Sequence, residues 1–289
     1  MNREKKIEEC FNDIMELKGN DEFKEMIKRL HIFLENKKTY SWTAALPNLL
    51  LMVKRGGGIT TVVNAFAEYL YAAKAIEFSG KVKFIEFKLD YVSPESFFSE
   101  LTRLNNVILD FAGHNLFYKG VVCINIDEWL QHINDAHFMK FLNYIASNND
   151  KLLVILYIHS DAKNIIDNIE AVISSQIRLE TLKLRFPDVN ELIELVESWH
   201  KLDNGFTLTK DAKILLTETI KEISTGEHFY GFKSIVQLYN DISYNILTSD
   251  LNGKKIISAD MLSCFGKDSK YVKRAKVRIC TIGFAGRDL

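Results

Sequence analysis

The sequence contains only three prolines and four cysteines, and it has almost no net charge. So few prolines argue against long extended linkers. The cysteines, Cys10, Cys123, Cys264 and Cys280, lie far apart with no C-x-x-C pair, which is typical of reduced thiols and gives no sign of a zinc site. A net charge of −1 excludes a general attraction to polyanions, so any nucleic-acid contact must be local.

A long hydrophobic run is also missing. No apolar stretch reaches the ~18 residues that a membrane helix requires. Residues 1–6 are charged and lead into an amphipathic pattern, not into the apolar core of a signal peptide. We therefore expect a cytoplasmic protein without a membrane partner. Its 289 residues are enough to bury one sizeable α/β domain and a smaller helical one.

The sequence does contain a regular alternation of two periodicities. Apolar steps of three and four in residues 7–34 predict two N-terminal helices. Strands are predicted at 48–53, 81–89, 121–126, 152–158 and 179–184, with a helical pattern between successive strands. Such alternation predicts a parallel sheet covered on both faces. After Pro187 the pattern is entirely helical, with a fourth short helix predicted from Ser258.

The first predicted strand leads into Gly56, Gly57 and Gly58, followed by Thr60 and Thr61. In the phosphate-loop pattern G-x-x-x-x-G-K-[ST], the second glycine falls on Gly58 and the hydroxyl on Thr60. Glycines let backbone N–H groups face a phosphate at a helix N-terminus, where the helix dipole favours an anion. The spacing predicts a nucleotide-binding loop, and an ordinary strand-to-helix turn without a ligand is the alternative.

Two positions of this pattern differ, since Val53 replaces the first glycine and Ile59 replaces the lysine. That lysine normally bridges the β- and γ-phosphates. One such contact, at ~4 Å and an effective dielectric constant of about 20, is about 4 kcal/mol before desolvation. Its loss therefore corresponds to roughly a thousandfold in affinity or rate. Lys54 and Arg55, on the same loop, are the candidates to replace it.

The third predicted strand ends on two acids, Asp127 and Glu128. In a phosphate-loop enzyme the Asp holds Mg²⁺, with the loop hydroxyl of Thr60 as a second ligand, and the Glu activates the attacking water. Alone, the pair equally suits a helix cap or a solvated turn. Its combination with the glycine loop favours the catalytic interpretation.

These motifs resemble the AAA+ family of P-loop ATPases over about residues 45 to 265. Residues 56–61 look like a degenerate Walker A motif, and residues 122–128 look like a complete Walker B motif. The resemblance implies ATP or ADP with Mg²⁺ as cofactors. It also implies a five-stranded parallel P-loop sheet flanked by helices, with a C-terminal all-helical lid. We therefore divide the chain into N-terminal helices and linker (1–44), P-loop α/β core (45–187), helical lid (188–265) and basic tail (266–289).

Three further site residues follow from the resemblance. His159 ends the fourth strand, where the family has a polar residue that senses the phosphate. Arg178 precedes the fifth strand, where the family has a catalytic arginine that reaches the nucleotide of a neighbouring subunit. Lys233 lies in the third lid helix, where an arginine facing the nucleotide is usual. An ordinary polar strand end for His159 and a solvated arginine for Arg178 are the alternatives.

The tail is basic, with Lys273, Arg274 and Lys276 among its cations, and from Val277 its apolar residues alternate as in a strand. This cluster predicts a local contact with nucleic acid. The alternative is a solvated edge strand protected by lysines.

The sequence therefore favours an AAA+-type nucleotide-binding protein that forms homo- or hetero-oligomers with AAA+ subunits. Weak ATP hydrolysis at a subunit interface, with Glu128 as base, would then drive remodelling of a partner macromolecule. One alternative is a pseudo-ATPase, a scaffold or inactive subunit beside an intact paralogue. The other is a DNA-associated loader or initiator that uses the tail. The single module with its lid is loosely similar to the CbxX and sporulation-K helper subgroup.

Overall fold

The computed structural model describes residues 3–39, 46–76, 84–92, 96–112, 120–149, 152–159, 163–226, 229–248 and 255–277. The chain divides into two compact units, Met1–Phe186 and Pro187–Leu289. No helix in the described ranges combines the length and the apolar character that a membrane span needs.

The first unit is a sheet with helices on both faces. In the described ranges its helices are α1 (Arg3–Glu16), α2 (Asp21–Thr39), α3 (Ile59–Ala72), α4 (Phe97–Ala112), α5 (Ala136–Ser147) and α6 (Lys163–Ser174). Its strands are β1 (Asn48–Val53), β2 (Phe84–Lys88), β3 (Gly120–Asn125), β4 (Leu152–Ile158) and β5 (Leu179–Leu184). All neighbours pair in parallel in the order β2-β3-β4-β1-β5. The predicted five-stranded parallel sheet flanked by helices is confirmed.

Strand β1 illustrates how the sheet is buried. Leu49, Leu51 and Val53 belong to the apolar cluster that includes α1, α2 and α3. Leu50 belongs to the cluster on the other face, with α4, α5 and α6. Because successive side chains of a strand point to opposite faces, a strand covered on both sides reads as an unbroken apolar run.

One buried polar residue links the central strands. The Oδ1 atom of Asn48 accepts the N–H of Val154 at 2.9 Å, and its Nδ2 atom donates to Oδ1 of Asn149 at 2.9 Å. Its backbone N–H donates to the carbonyl oxygen of Arg178 at 3.0 Å. These bonds fix the start of β1 against β4 and against the residue before β5.

The second unit is mainly helical in its described part. It contains α7 (Val189–Asn204), α8 (Lys210–Ser224), α9 (Phe232–Leu247), α10 (Lys270–Val277), a 3₁₀ helix at Asp260–Phe265, and the two-residue strands β6 (Thr207–Leu208) and β7 (Ile256–Ile257). Asp188 and Glu191 form a capping box at the start of α7, and Gly205, with φ 69°, ends it. Thr209 caps α8 by accepting the N–H of Ala212.

The start of the tail differs from the prediction. Val277, where the strand-like alternation begins, is the last residue of helix α10. The hydroxyl of Ser269 accepts the N–H of Val272 at 3.1 Å, which is the bond of a helix N-cap, and Val272 is buried. A capped helix satisfies its backbone locally, whereas a strand needs a partner strand.

Three other predictions are affected by what the structure describes. Residues 278–289 lie outside the described residues, so the rest of the predicted tail strand is not tested. The strand predicted at 81–89 is observed as β2, and residues 81–83 lie outside the described residues. The short helix predicted from Ser258 is the 3₁₀ helix that begins at Asp260. Lys273, Arg274 and Lys276 lie in α10, and their contact with nucleic acid stays a prediction.

His200 is a buried histidine of α7. Its Nε2 atom has no hydrogen-bond partner within the described ranges. Burial lowers the pKa of His200 to about 4. In the unfolded chain the pKa is about 6.5, so the unfolded state binds more protons between these two values. Folding stability should therefore fall as the pH drops from about 6.5 to about 4.

We expect His200→Leu and His200→Gln each to abolish this acid destabilisation, which is about 2 kcal/mol between about pH 7 and about pH 5. Neither replacement titrates in this range. Urea unfolding of the wild type and both variants, at about pH 7 and about pH 5, measures the difference. An equal loss of stability in all three proteins would contradict a buried neutral histidine.

Candidate functional site

The loop between β1 and α3 is a tight turn. The N–H of Gly57 donates to the carbonyl oxygen of Lys54 at 2.8 Å. Gly56 and Gly58 have φ of 75° and 79°, in the left-handed region that favours glycine. A positive φ at the third turn residue is the pattern of a type II turn. The glycine loop is therefore partly closed on itself, with one of its N–H groups already bonded.

The residues that follow the loop begin α3. Ile59, at the lysine position, packs against the apolar cluster below α3. Thr61 is exposed in the first turn of the helix. The hydroxyl of Thr60 donates to Oε2 of Glu86 at 3.1 Å, and the hydroxyl of Tyr157 donates to Oε1 of the same carboxylate at 2.8 Å. Thr60, predicted as a metal ligand, thus has a protein partner on β2.

The carboxylate of Asp127 is held by His159 and Asn125. Its Oδ1 atom accepts the backbone N–H of His159 at 2.7 Å, and its Oδ2 atom lies 2.6 Å from Nδ1 of the His159 ring. Nδ2 of Asn125 donates to Oδ2 at 3.1 Å. Partial burial by itself would raise the pKa of Asp127, but these bonds outweigh burial and lower the pKa to about 2. Asp127 is therefore a firmly ionised carboxylate that is bonded at both oxygens.

Glu128 lies in a different set of contacts. It forms an ion pair with Lys88 at the end of β2, and its Oε2 atom accepts the N–H of Tyr91 at 3.0 Å. The bond from Lys88 and then the bond from Tyr91 lower the pKa of Glu128. Lys88 also lies 2.9 Å from a carboxylate oxygen of Asp90. The predicted general base is thus tied to the segment that follows β2.

A cavity of about 710 Å³ opens at the carboxyl ends of the strands. Its charged and titratable lining residues are Lys54 and Arg55 after β1, His159 after β4, Lys183 and Arg185 at the end of β5, and Asp21 and Glu22 at the start of α2. Ligands of open α/β sheets bind in the crevice outside these strand ends. The volume lies within the usual range for small-molecule sites.

The charge of this cavity is positive. Its four Lys and Arg side chains face two acids, which leaves two positive charges before His159 is counted. Nη2 of Arg185 lies 3.5 Å from Oδ2 of Asp21, and Oε2 of Glu22 accepts the backbone N–H of Lys183 at 2.8 Å. The cavity therefore suits an anionic ligand.

Arg178 is not at this edge of the first unit, and Lys233 belongs to the second unit. Arg178 precedes β5 beside Asn48, whereas the loop follows Val53 at the other end of the paired strand. Five residues of strand separate the two ends, which is about 17 Å. Lys233 is the second residue of α9 in the second unit. Arg178 therefore does not belong to the loop site of its own chain.

The residues present fit a nucleotide better than they fit Mg²⁺. A glycine loop at a helix N-terminus and a basic cavity beside it are suited to a phosphate chain. A Mg²⁺ site of this type needs oxygen ligands from Thr60 and Asp127. Thr60 donates only its hydroxyl hydrogen, to Glu86, so its oxygen lone pairs stay available. The Asp127 carboxylate, however, already has contacts to the ring and backbone N–H of His159 and to Asn125. With Asp127 arranged in this way, the pair does not form a Mg²⁺ site.

Comparison with solved structures identifies the fold. A RuvB mutant from Thermotoga maritima superimposes with a TM-score of 0.51 at 16% identity, covering 87% of this chain and 71% of that chain. PCH-2 from C. elegans superimposes with a TM-score of 0.50 at 11% identity, covering 92% and 71%. Both are AAA+ ATPases. No protein-family model matches the chain, and no curated protein matches it in sequence.

The parallel sheet with a glycine loop at its carboxyl edge defines the P-loop α/β class of protein. Within that class, the chain has the AAA+ fold. This agrees with the resemblance carried by the two sequence motifs.

Four charged residues of the site were not predicted from the sequence, namely Glu86, Lys88, Lys183 and Arg185. Lys183 and Arg185 alternate along β5 and its exit, which is a usual pattern for a strand beside solvent. Glu86 and Lys88 alternate in the same way on β2. Two charged residues at the carboxyl end of each strand were the available signal. Only the three-dimensional structure shows that Glu86 contacts Thr60 and that Lys88 contacts Glu128.

Substitution of Gly57 by alanine tests whether the protein requires the tight turn. A Cβ at this position would lie 2.7 Å from the carbonyl oxygen of Lys54 and 2.8 Å from Cγ1 of Val53. We expect Gly57→Ala to destabilise the protein by about 1–3 kcal/mol, as overpacked substitutions do. Urea unfolding measures the change.

Gly266→Ala is the matched control for Gly57→Ala. The nearest atom to its new Cβ is the carbonyl oxygen of Ser263 at 3.4 Å, which is an ordinary contact. This variant should change stability by less than about 0.5 kcal/mol. Equal effects of the two variants would show that the turn at Gly57 can open without cost.

Proposed function

We propose that this protein is an AAA+-fold nucleotide-binding subunit in which ATP hydrolysis is strongly impaired. The observation that carries the proposal is the position of Glu128, which pairs with Lys88 and accepts the N–H of Tyr91. A general base must offer a lone pair to water and works best with a pKa near the working pH. The contacts of Glu128 oppose both requirements.

Two further features support impaired hydrolysis together with retained binding. Ile59 packs against the core where a phosphate-loop lysine would face the ligand. The cavity beside the loop nevertheless carries Lys54, Arg55, Lys183 and Arg185. Binding needs only favourable contacts with the ground state, whereas hydrolysis needs contacts that strengthen in the transition state. This chain has cations that can bind phosphate, but it lacks the lysine that usually assists phosphoryl transfer.

The proposed working state is an oligomer with AAA+ subunits, in which the protein acts on a partner macromolecule. Arg178 supports this arrangement, because it lies about 17 Å of strand away from the loop of its own chain. That distance excludes a role at the nucleotide of its own chain and is compatible with a role at the nucleotide of a neighbour. In a mixed oligomer, this subunit would contribute Arg178 to an intact paralogue and remain inactive itself, which is the pseudo-ATPase form of the proposal.

Calorimetry with ATP, together with a phosphate-release assay, tests the proposal. We expect ATP to bind, and phosphate release to be no faster than in the Glu128→Gln variant. Release that clearly exceeds the Glu128→Gln level would contradict impaired hydrolysis. No binding of ATP would contradict the nucleotide-binding function.

A gain of hydrolysis is expected when the loop cation, the base and the Mg²⁺ ligand are all restored. Ile59→Lys restores the missing cation, Lys88→Met releases Glu128 so that its pKa returns towards the ordinary value, and His159→Asn removes the ring that contacts Asp127. One recovered charge contact of about 1.4 kcal/mol is tenfold in rate, so the triple variant should release phosphate at least about tenfold faster than the wild type.

The controls separate charge from packing. Ile59→Met combined with Lys88→Met and His159→Asn keeps an apolar side chain at residue 59 and should show no gain. Adding Glu128→Gln to the repaired protein should return phosphate release to the wild-type level. A repaired protein that stays at that level from the start would show that Ile59, Lys88 and His159 are not what limits hydrolysis.

A further inference from the structure

The two residues predicted to hold Mg²⁺ are engaged by the protein itself. Asp127 takes two bonds from His159, at 2.7 and 2.6 Å, and a third from Asn125 at 3.1 Å. Thr60 donates its hydroxyl to Glu86 at 3.1 Å. Mg²⁺ is small, requires near-ideal octahedral geometry and releases its water reluctantly. Thr60 keeps its oxygen lone pairs when it donates, so the obstacle is Asp127, whose contacts would have to be rearranged to admit the ion.

His159 both lines the cavity and contacts Asp127. Its ring nitrogen Nδ1 and its backbone N–H are both directed to the Asp127 carboxylate. The lining residues of the cavity include His159 and not Asp127. A ligand in the cavity therefore meets His159, whose ring engages the carboxylate.

The cavity supplies its own positive charge at the place where a phosphate chain would lie. Lys183 and Arg185 stand at the end of β5, beside Lys54 and Arg55, which follow the neighbouring strand β1. Arg185 also lies 3.5 Å from Asp21, and the cations of the cavity outnumber its acids by two. In a P-loop enzyme the metal ion bridges the β- and γ-phosphate oxygens and neutralises their charge. Guanidinium and ammonium groups neutralise phosphate directly, and guanidinium can also bind two of its oxygens at once. The cavity can therefore perform the charge-neutralising part of the metal's role.

We infer that the cavity binds the phosphate chain of a nucleotide without Mg²⁺, through Lys183 and Arg185 together with the loop cations. The inference rests on the proposed nucleotide-binding function and specifies how the phosphates are held. It assigns a binding role to two residues at the end of β5, Lys183 in the strand and Arg185 just after it. It also assigns His159 the role of a positioning residue that keeps Asp127 from a metal ion.

Calorimetric titration with ATP, in excess Mg²⁺ and again in excess EDTA, tests the inference on the full chain. We expect the two dissociation constants to agree within about twofold, which is less than about 0.5 kcal/mol. Lys183→Gln/Arg185→Gln should weaken binding at least about tenfold in both buffers, since two charge contacts are lost. Lys28→Gln, which removes an exposed lysine paired only locally with Glu25 on α2, is the matched control and should bind like the wild type.

His159→Asn provides a second, independent readout. It removes the ring that contacts Asp127 and keeps a side chain of similar polarity. We expect ATP binding by this variant to become Mg²⁺-dependent, with an affinity at least about tenfold higher in Mg²⁺ than in EDTA. Circular dichroism of each variant confirms that it is folded.

The outcomes distinguish this inference from the proposed function. Wild-type binding that occurs only in Mg²⁺ would overturn the inference and leave the nucleotide-binding function intact. Binding in neither buffer would overturn the proposed function itself. Metal-independent binding that is unchanged in Lys183→Gln/Arg185→Gln would overturn the assignment of the β5 residues.

Discussion

A parallel sheet covered by helices on both faces restricts where polar side chains can act. The faces of β1, β3 and β4 are filled by aliphatic side chains, so polar groups emerge mainly where strands end. At the carboxyl edge the order β2-β3-β4-β1-β5 places the exits of β4, β1 and β5 side by side. His159, Lys54 and Arg185 therefore line one cavity although they are distant in sequence. Buried Asn48 stabilises this order through its bonds to β4 and to the residue before β5.

The same strand order explains which residues the two acids after β3 contact. β3 lies between β2 and β4, so Asp127 meets His159 from β4, and Glu128 meets Lys88 from β2. Each acid thus has its own basic partner from a neighbouring strand. Ile59 packs against the core, so the loop lacks a cation at this position, while each acid has a basic residue beside it. The sheet forms without a lysine at the loop, because its stability comes from the apolar strands and not from the residues at their ends.

Much of the fold could be predicted from the sequence, because the apolar periodicity of each element reports burial. Strands β4 and β5 were predicted with the observed bounds, and the glycine loop was placed correctly between β1 and α3. The prediction was wrong at Val277, where Ser269 caps a helix that a two-residue alternation did not reveal. Lys183 and Arg185 were missed because an exposed, alternating charge is the ordinary pattern of a strand beside solvent.

The five strands, the helical second unit and the replacement of the loop lysine by Ile59 can be predicted without the structure. These are local properties, since periodicity and residue identity do not depend on distant partners. The contacts of the two acids, in contrast, follow from the three-dimensional arrangement of the strands. Asp127 and His159 are 32 residues apart, and Lys88 and Glu128 are 40 residues apart. Their pairing depends on which strands are neighbours in the sheet, and strand order is set by packing of the whole unit.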